Sequence, residues 1–447
     1  MSMYLDGVLY KKMLINGLSN LINYESQINE LNVFPVPDGD TGTNMRLTLE
    51  NGVNNMIDDN DLSIALKSLS RGMLLGARGN SGVILSQLFR GQSKYLKDNE
   101  KIDAITYANA LEAGYKLAYD TVINPTEGTI LTVAREGVRK IKNEINQDTS
   151  IEFLLEKLIS QMEIELDNTP NLLKVLKDAG VKDSGGYGLI IIYKGMYEYL
   201  KGNIITRIDS NVNRYFKKGY VVTEKKNIAV IAVSPGDGIS DLFRELGVSV
   251  IINGGDTLNT STEEFINALE SINANNYIIL PNNKNILLSA LLAKKMQNKD
   301  NIYVIETKSV VEGYFALQMA DVLDPDITIE ECIENMTEAI NGFTNISLTK
   351  AIRDAKIDDI TIAKGEYISL LNGKIVKKSL NKIDLLLDTI NMVDMSEKVI
   401  MTIIKGFNVS DEEINYLEEK LNELYPDLEI GIIDGKQELY DFFLGIN

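Results

Sequence analysis

The spacing of apolar residues changes once along the chain, and that change limits the fold more than any other feature. Up to about residue 203, apolar side chains recur every three or four positions, the period of one face of an α-helix. The spacing predicts helices over Gly7 to Leu21, Leu62 to Leu75, Gly82 to Tyr95, Ala104 to Tyr119, Ile130 to Ile145, Ile151 to Leu166, Thr169 to Asp178 and Gly188 to Leu200. From residue 227, short β-branched runs take over at Ile228 to Val233, Val248 to Ile252, Tyr277 to Leu280 and Ile302 to Ile305. They alternate with helical stretches near Ile239 to Leu246, Thr262 to Leu269, Ile286 to Met296 and Gly313 to Ala320, the βαβ signature of a parallel sheet. From about Ile346 come strand patterns at Glu366 to Leu371, Val399 to Ile404 and Leu428 to Ile433, with helices over Lys382 to Ile390 and Asp411 to Leu424. The expected architecture is multidomain. An all-α domain over 1–203 is followed by a linker over 204–226 and an α/β region over 227–447, which holds a parallel sheet and a C-terminal α/β lobe divided near 345.

Composition narrows the chemistry. The 447 residues include no histidine, which removes a Ser-His-Asp triad, a His-paired cysteine, a histidine-ligated metal and a phosphohistidine relay. The single cysteine, Cys332, excludes an intramolecular disulfide and a cysteine-cluster zinc site, and it suits a reducing cytosol. Catalysis must therefore run on carboxylates, amides, hydroxyls, Lys, Arg, backbone donors and hard cations. The net charge of −19 repels phosphate backbones with no basic patch to offset it, so no nucleic-acid partner is expected. The longest apolar runs, such as Leu189 to Tyr193, fall short of the ~20 residues of a membrane helix. The amino terminus has no secretory-leader pattern, and a cytoplasmic protein without membrane-spanning segments is expected.

Four glycine-rich segments each precede a helical stretch. The first is Asn32-Val-Phe-Pro-Val-Pro-Asp-Gly-Asp-Thr-Gly-Thr-Asn-Met45. Two prolines stiffen it, Gly39 and Gly42 permit tight turns, and Asp38 and Asp40 project oxygens from a loop ending at a helix start near Thr43 and Asn44. Such a loop suits Mg²⁺, and the helix-start amides suit a phosphate oxygen. Counting from Asp38 puts Gly42 fifth and Leu49 twelfth, where an EF-hand needs ligands, so an EF-hand fails. An Asp-Gly helix cap is the plainer alternative. The second segment, Arg71 to Gly82, sets Gly76, Gly79 and Gly82 beside Asn80 and Ser81 as a phosphate nest, without the Gly-Lys-Ser/Thr ending of a P-loop. The third, Asn124 to Thr129, places Thr129 at a helix start with Arg135 one and a half turns on, and the fourth is Lys182 to Gly188. Singly, each reads as an N-cap or turn, but up-and-down helical connectivity can bring all four to one rim. In the α/β region, Ser234 to Ser240, Asn253 to Asp256, Pro281 to Asn285 and Thr307 to Ser309 each follow a predicted strand. They gather at the carboxyl edge of the sheet as a polar docking surface or as plain connections.

The first 203 residues resemble a DhaL (DAK2) domain, the ATP-binding helical barrel of dihydroxyacetone kinases. The segments 32–45, 76–87, 125–134 and 183–188 are specifically similar to the kinase component of bacterial fatty acid kinase, and the likeness resumes at 252–262, 279–286 and 351–358. The resemblance implies transfer of the ATP γ-phosphate to the carboxylate of a fatty acid held by a separate DegV-like fatty acid-binding partner protein, giving an acyl phosphate. ATP and Mg²⁺ are the implied cofactors and a homodimer the implied assembly. By motif, Asp38 and Asp40 would hold Mg²⁺, with Asn32 at the position where dihydroxyacetone kinases carry a further aspartate. Thr43, Asn44, Gly79, Asn80, Ser81 and Gly82 would cradle phosphates, with Arg78 neutralising charge at the transferring group. Thr129 would lie near the nucleotide, and Asp183, Ser184, Gly185 and Gly186 would border adenine and ribose. One departure is large: family members usually carry a middle domain with a cysteine and histidines, and here the 204–226 linker stands in its place. A kinase of a small glycerone-like substrate and a catalytically silent nucleotide-binding scaffold are the alternative readings.

Overall fold

The computed structural model describes residues 4–32, 41–122, 124–207, 225–254, 259–324, 326–341, 343–357 and 359–447. Two compact units divide the chain, one helical and one α/β. In the helical unit, strand β1 (Leu5–Asp6) leads into α1 (Gly7–Glu30), α2 (Thr41–Asn55), α3 (Leu62–Leu75) and α4 (Gly79–Tyr95). Strand β2 (Lys101–Ile102), antiparallel to β1, precedes α5 (Ala104–Thr121), α6 (Ile130–Ile141), α7 (Ile151–Leu172), α8 (Lys174–Ala179) and α9 (Ser184–Leu200).

Several of these helices start where a local side chain meets the orphan amides of the first turn. Asp61 accepts from Ser63 N and Ile64 N at the start of α3, Asp103 from Thr106 N at α5, and Ser150 from Phe153 N at α7. Their apolar faces close on one core that includes the fully buried Tyr10, Leu14, Leu66, Phe89, Tyr107 and Ile192. The core hydroxyl of Tyr10 donates to Gln92 Oε1 at 3.2 Å, and its ring meets Tyr107 edge-on at 6.2 Å between centroids. Helices α4 and α5 approach to backbone contact. A Cβ on Gly91 would lie 2.4 Å from the Ala113 carbonyl oxygen and 2.5 Å from Gly114 Cα.

The all-α part thus has the architecture expected of it, with informative differences. Helix α2 is expected from the sequence only as a helix start near Thr43 and Asn44, and apolar periodicity does not give its extent because its buried face, Gly42, Asn44, Met45, Thr48, Leu49, Gly52 and Val53, is largely small or polar. The stretch predicted as one helix over Thr169 to Asp178 is two. Helix α7 runs through Pro170 to Leu172, the chain turns extended at Leu173 (φ −128°, ψ 107°), and α8 follows, ending at left-handed Gly180.

The second unit opens with β3 (Lys226–Ser234), α10 (Asp237–Glu245), β4 (Val250–Asn253), α11 (Thr262–Glu270), β5 (Ala274–Leu280), α12 (Leu287–Gln297), β6 (Ile302–Val304), α13 (Val310–Ala320) and α14 (Ile329–Ile340). Its four strands are parallel in the order β4-β3-β5-β6, as the alternating periods require. The remainder comprises β7 (Thr344–Lys350), the hairpin β8 (Ala355–Ile357) and β9 (Ile360–Ile362), β10 (Tyr367–Leu371), β11 (Lys374–Ser379), α15 (Lys382–Ile390), β12 (Ile400–Lys405), α16 (Asp411–Leu424), β13 (Glu429–Asp434) and β14 (Tyr440–Ile446). It forms a mixed six-stranded sheet in the order β11-β10-β7-β14-β12-β13. Strands β7, β8, β9, β11 and β14 and helix α14 have no counterpart among the predicted elements. Strand β14 is buried along nearly its whole length and β11 is an edge strand carrying three lysines, so neither displays clean alternation.

The close approach of α4 and α5 yields a test. Gly91→Ala must push two helix backbones apart, and overpacking of this kind costs roughly 1–3 kcal/mol. Denaturant unfolding of the variant is expected to show that loss, and an unchanged midpoint would refute the contact.

Candidate functional site at four helix starts

The four glycine-rich segments lead into α2, α4, α6 and α9. Their first turns touch one another in sequence. Helix α4 rests on α2: Arg78 N donates to Thr48 Oγ1 at 3.3 Å, and Thr48 in turn donates to Asn44 O at 2.7 Å. Gly79 is left-handed at φ +55°, and a Cβ there would come within 2.4 Å of Asn44 Nδ2, so Gly79 lies directly against Asn44.

Helix α2 is joined to α9 through Asn32. Its Oδ1 accepts from Thr41 Oγ1 at 2.7 Å and from Ser184 Oγ at 3.0 Å. The two hydroxyls use both lone pairs of that oxygen in this arrangement. Helix α9 meets α6 next: a Cβ on Gly185 would lie 3.2 Å from Ile130 Cβ, and one on Gly186 would lie 2.8 Å from Val133 Cγ2.

Asp183 anchors that last junction. Its carboxylate accepts from Gly186 N at 2.6 Å, capping α9, and also faces the backbone amide of Ile130 at the start of α6. Its own N–H donates to Thr169 Oγ1 in α7 at 3.2 Å. Burial outweighs these hydrogen bonds and pushes the carboxyl up to about 6. Asp183 therefore positions two helix starts.

Two residues that pattern reading missed organise α2. Asn29, in the last turn of α1, accepts at Oδ1 from Gly42 N at 2.7 Å and from Thr43 N at 3.4 Å, capping a helix other than its own. Its Nδ2 donates to Thr43 Oγ1 at 3.1 Å, and Thr43 Oγ1 donates to Glu25 Oε1 at 2.7 Å. The hydroxyl of Thr43, expected to face phosphate, is committed to this network. Glu25 also pairs with Arg46 Nε at 2.7 Å. The signal in the sequence was the four-residue spacing of Glu25 and Asn29, which puts the two side chains on one face of α1.

The remaining first turns have the chemistry of an anion site. Arg78 and Thr129, the N-cap residues of α4 and α6, make no side-chain cap to their own helices. Asn80 is exposed and Ser81 half-buried at the first turn of α4. Amides presented this way, on the positive ends of two helices, suit phosphate oxygens. Asp38 and Asp40, the expected metal carboxylates, lie outside the described residues, and among the described residues no group of three or more Asp, Glu or Cys side chains could hold a metal. In the α/β unit, three of the four strand-end loops are stitched together. Asn282 N donates to Thr307 Oγ1 at 3.0 Å and Asn282 Nδ2 to Val233 O at 2.9 Å, while part of the loop after Asn253 lies outside the described residues. No helix of the described residues is long and apolar enough to cross a membrane.

The state of Asp183 is measurable. A carboxyl raised above its unfolded value holds its proton more tightly when folded, so it contributes stability below about pH 4 that is lost as pH rises through about 6. Carbon-detected NMR is expected to show a carboxyl titrating near pH 6 that disappears in Asp183→Asn, together with a flatter pH dependence of unfolding. A wild-type midpoint near 4 would contradict the burial.

Comparison with known proteins supplies the lineage. The DAK2 domain family matches residues 35–198, and the C-terminal domain family of FakA-like fatty acid kinases matches residues 229–447. Protein YloV of Bacillus subtilis is 32% identical over 549 aligned positions, covering 98% of this chain and 99% of that protein. An uncharacterized protein of Staphylococcus aureus strain USA300 is 32% identical over 552, covering 99% of each. Because 549 aligned positions exceed the 447 residues of this chain, at least 102 positions of the Bacillus protein have no counterpart here. Among solved structures, the dihydroxyacetone kinase of C. freundii in complex with AMP-PNP and Mg²⁺ aligns at 17% identity and TM-score 0.34, over 42% of this chain and 33% of that one. The Streptococcus pneumoniae fatty acid kinase B3 protein loaded with linoleic acid aligns at 11% and TM-score 0.32, over 49% and 98%. With both halves matched in order and relatives aligned along nearly the full length, the chain belongs to the FakA-like fatty acid kinase family of DAK2-domain proteins.

Proposed function

We propose that the chain binds Mg-ATP where its four helix starts meet and transfers the γ-phosphoryl group to the carboxylate of a fatty acid held by a separate, DegV-like acyl-binding protein. The observation that carries this reading is the unbroken series of contacts from α4 through α2 and α9 to α6, which gathers the first turns of four helices into one polar rim. The amides at Gly79, Asn80 and Ser81 and those of Leu131 and Thr132 in the first turn of α6 would meet phosphate oxygens, with Arg78 neutralising charge. Asp38 and Asp40 would hold Mg²⁺, which when bound offsets charge on the phosphates.

In the step itself, a carboxylate oxygen of the acid bonds to the γ-phosphorus, the bond from that phosphorus to the β–γ bridging oxygen breaks, and ADP leaves with the electron pair. No proton moves. A fatty carboxylate, with an acid pKa of about 4 to 5, is already anionic at neutral pH, so the chain's lack of histidine is compatible with this acceptor. A glycerone-like alcohol would need a base to take its proton, which favours the acid. The 102 or more relative positions without a counterpart favour a second reading, a scaffold that binds nucleotide without transfer.

The test mixes the purified chain, an acyl-binding protein loaded with oleate, and Mg-ATP, and traps acyl phosphate with hydroxylamine. Hydroxamate is expected, and Asp38→Ala or Asp40→Ala should lower its rate on the order of a hundredfold or more while leaving the melting temperature unchanged. ATP binding without hydroxamate would select the scaffold reading, and wild-type rates in both variants would remove the metal assignment.

A further inference from the structure

We propose that Glu127 is a positioning residue that fixes the start of α6 for nucleotide binding, acting through Arg135 and Thr132 without touching the nucleotide; the inference rests on the site proposed above. Glu127 sits on an exposed turn, its side chain 46% accessible, where a carboxylate ordinarily faces only water. Instead both oxygens are committed. Oε1 accepts from Arg135 Nη1 at 2.7 Å and from the Tyr119 hydroxyl at 3.2 Å, and Oε2 from Arg135 Nη2 at 2.9 Å and Thr132 Oγ1 at 2.6 Å. Arg135 Nη1 also reaches the Tyr119 oxygen at 2.8 Å, its Nε meets Glu136 at 2.7 Å, and its guanidinium lies 5.2 Å above the Tyr119 ring. The cluster ties α5, the turn and α6 into one body. The Arg135 hydrogen bonds hold the Glu127 carboxyl below its usual range, so the clamp is ionised at neutral pH.

The neighbouring residue shows what the clamp fixes. Gly128 is left-handed at φ +81°, its N–H donates to Thr132 Oγ1 at 2.9 Å, and a Cβ would lie 2.9 Å from Leu173 Cβ and 3.0 Å from Thr169 O. With Gly128 set this way, Thr129 is extended and turns its hydroxyl back to Thr126 O at 2.8 Å, away from the amides that an N-cap threonine ordinarily covers. The first turn of α6 is thus kept uncovered by its own cap. Exposed ion pairs add little to stability, so the larger consequence of the cluster is geometric.

The test is Mg-ATP affinity of the full chain by calorimetry, read beside thermal unfolding. Glu127→Gln and Arg135→Met are each expected to weaken binding about tenfold, as small misplacements of binding groups do, and the double variant should be no weaker than either single one. Arg135→Lys, which offers one point charge in place of a fork, should recover part of the loss. Glu136→Gln, which alters the contact at Arg135 Nε and leaves the Nη atoms that hold Glu127, should bind as wild type does. Wild-type affinity in Glu127→Gln would overturn the proposal, as would equal losses in all variants that track their melting temperatures. Absence of binding by the wild-type chain would instead remove the nucleotide site, and this inference with it.

Discussion

A helix that begins inside a protein has first-turn amides needing acceptors, and leaving one buried and unmet costs about 1–3 kcal/mol. The helical unit answers this partly by lending acceptors from one helix to another. Asn29 of α1 caps α2, Thr48 of α2 takes the Arg78 amide leading into α4, and Asp183 serves α9 while facing the start of α6. Each loan fixes the distance between two helix starts. The polar rim is a consequence of that exchange, and at α4 and α6 the N-cap side chains make no cap to their own helices.

The α/β unit uses buried polar groups in a comparable way. Lys382, almost fully buried at the start of α15, donates to Asn408 O at 2.7 Å and lies 2.9 Å from Glu413 and 3.7 Å from Asp441. Glu413 also completes a capping box with Ser410 at the start of α16. The Glu413 carboxylate therefore closes α16 and pairs with a buried lysine of α15, and Asp441 brings β14 to the same lysine. Burial raises the Asp441 carboxyl, and the lysine beside it works in the opposite direction. Removing either acid would leave Lys382 with less of the charge that balances it.

How much of this was legible depends on how far apart the interacting residues lie in the chain. The helices over Leu62–Leu75, Lys382–Ile390 and Asp411–Leu424 carry their boundaries with them, since Asp61, Asn381 and Ser410 each sit one residue before the start and cap it. The parallel sheet was readable from the alternation of β-branched runs with helical period. Strand β14 was not, because its partners β7 and β12 lie far away in sequence and burial along its length removes alternation. In the site, glycine spacing marked all four helix starts, whereas Thr48 and Glu127 carry no local mark of their roles.

By itself, the sequence determined the two-part architecture, the absence of imidazole chemistry and the four glycine-rich turns, because periodicity, composition and turn chemistry are local properties. Tertiary structure alone decided which oxygen meets which amide. It turned Thr43 toward Glu25, filled both lone pairs of Asn32 Oδ1, and placed Asp183 between two helices and Glu127 under a guanidinium. Those choices depend on distances between residues as many as 152 positions apart, as for Ser184 and Asn32, and only packing of the helices sets such distances.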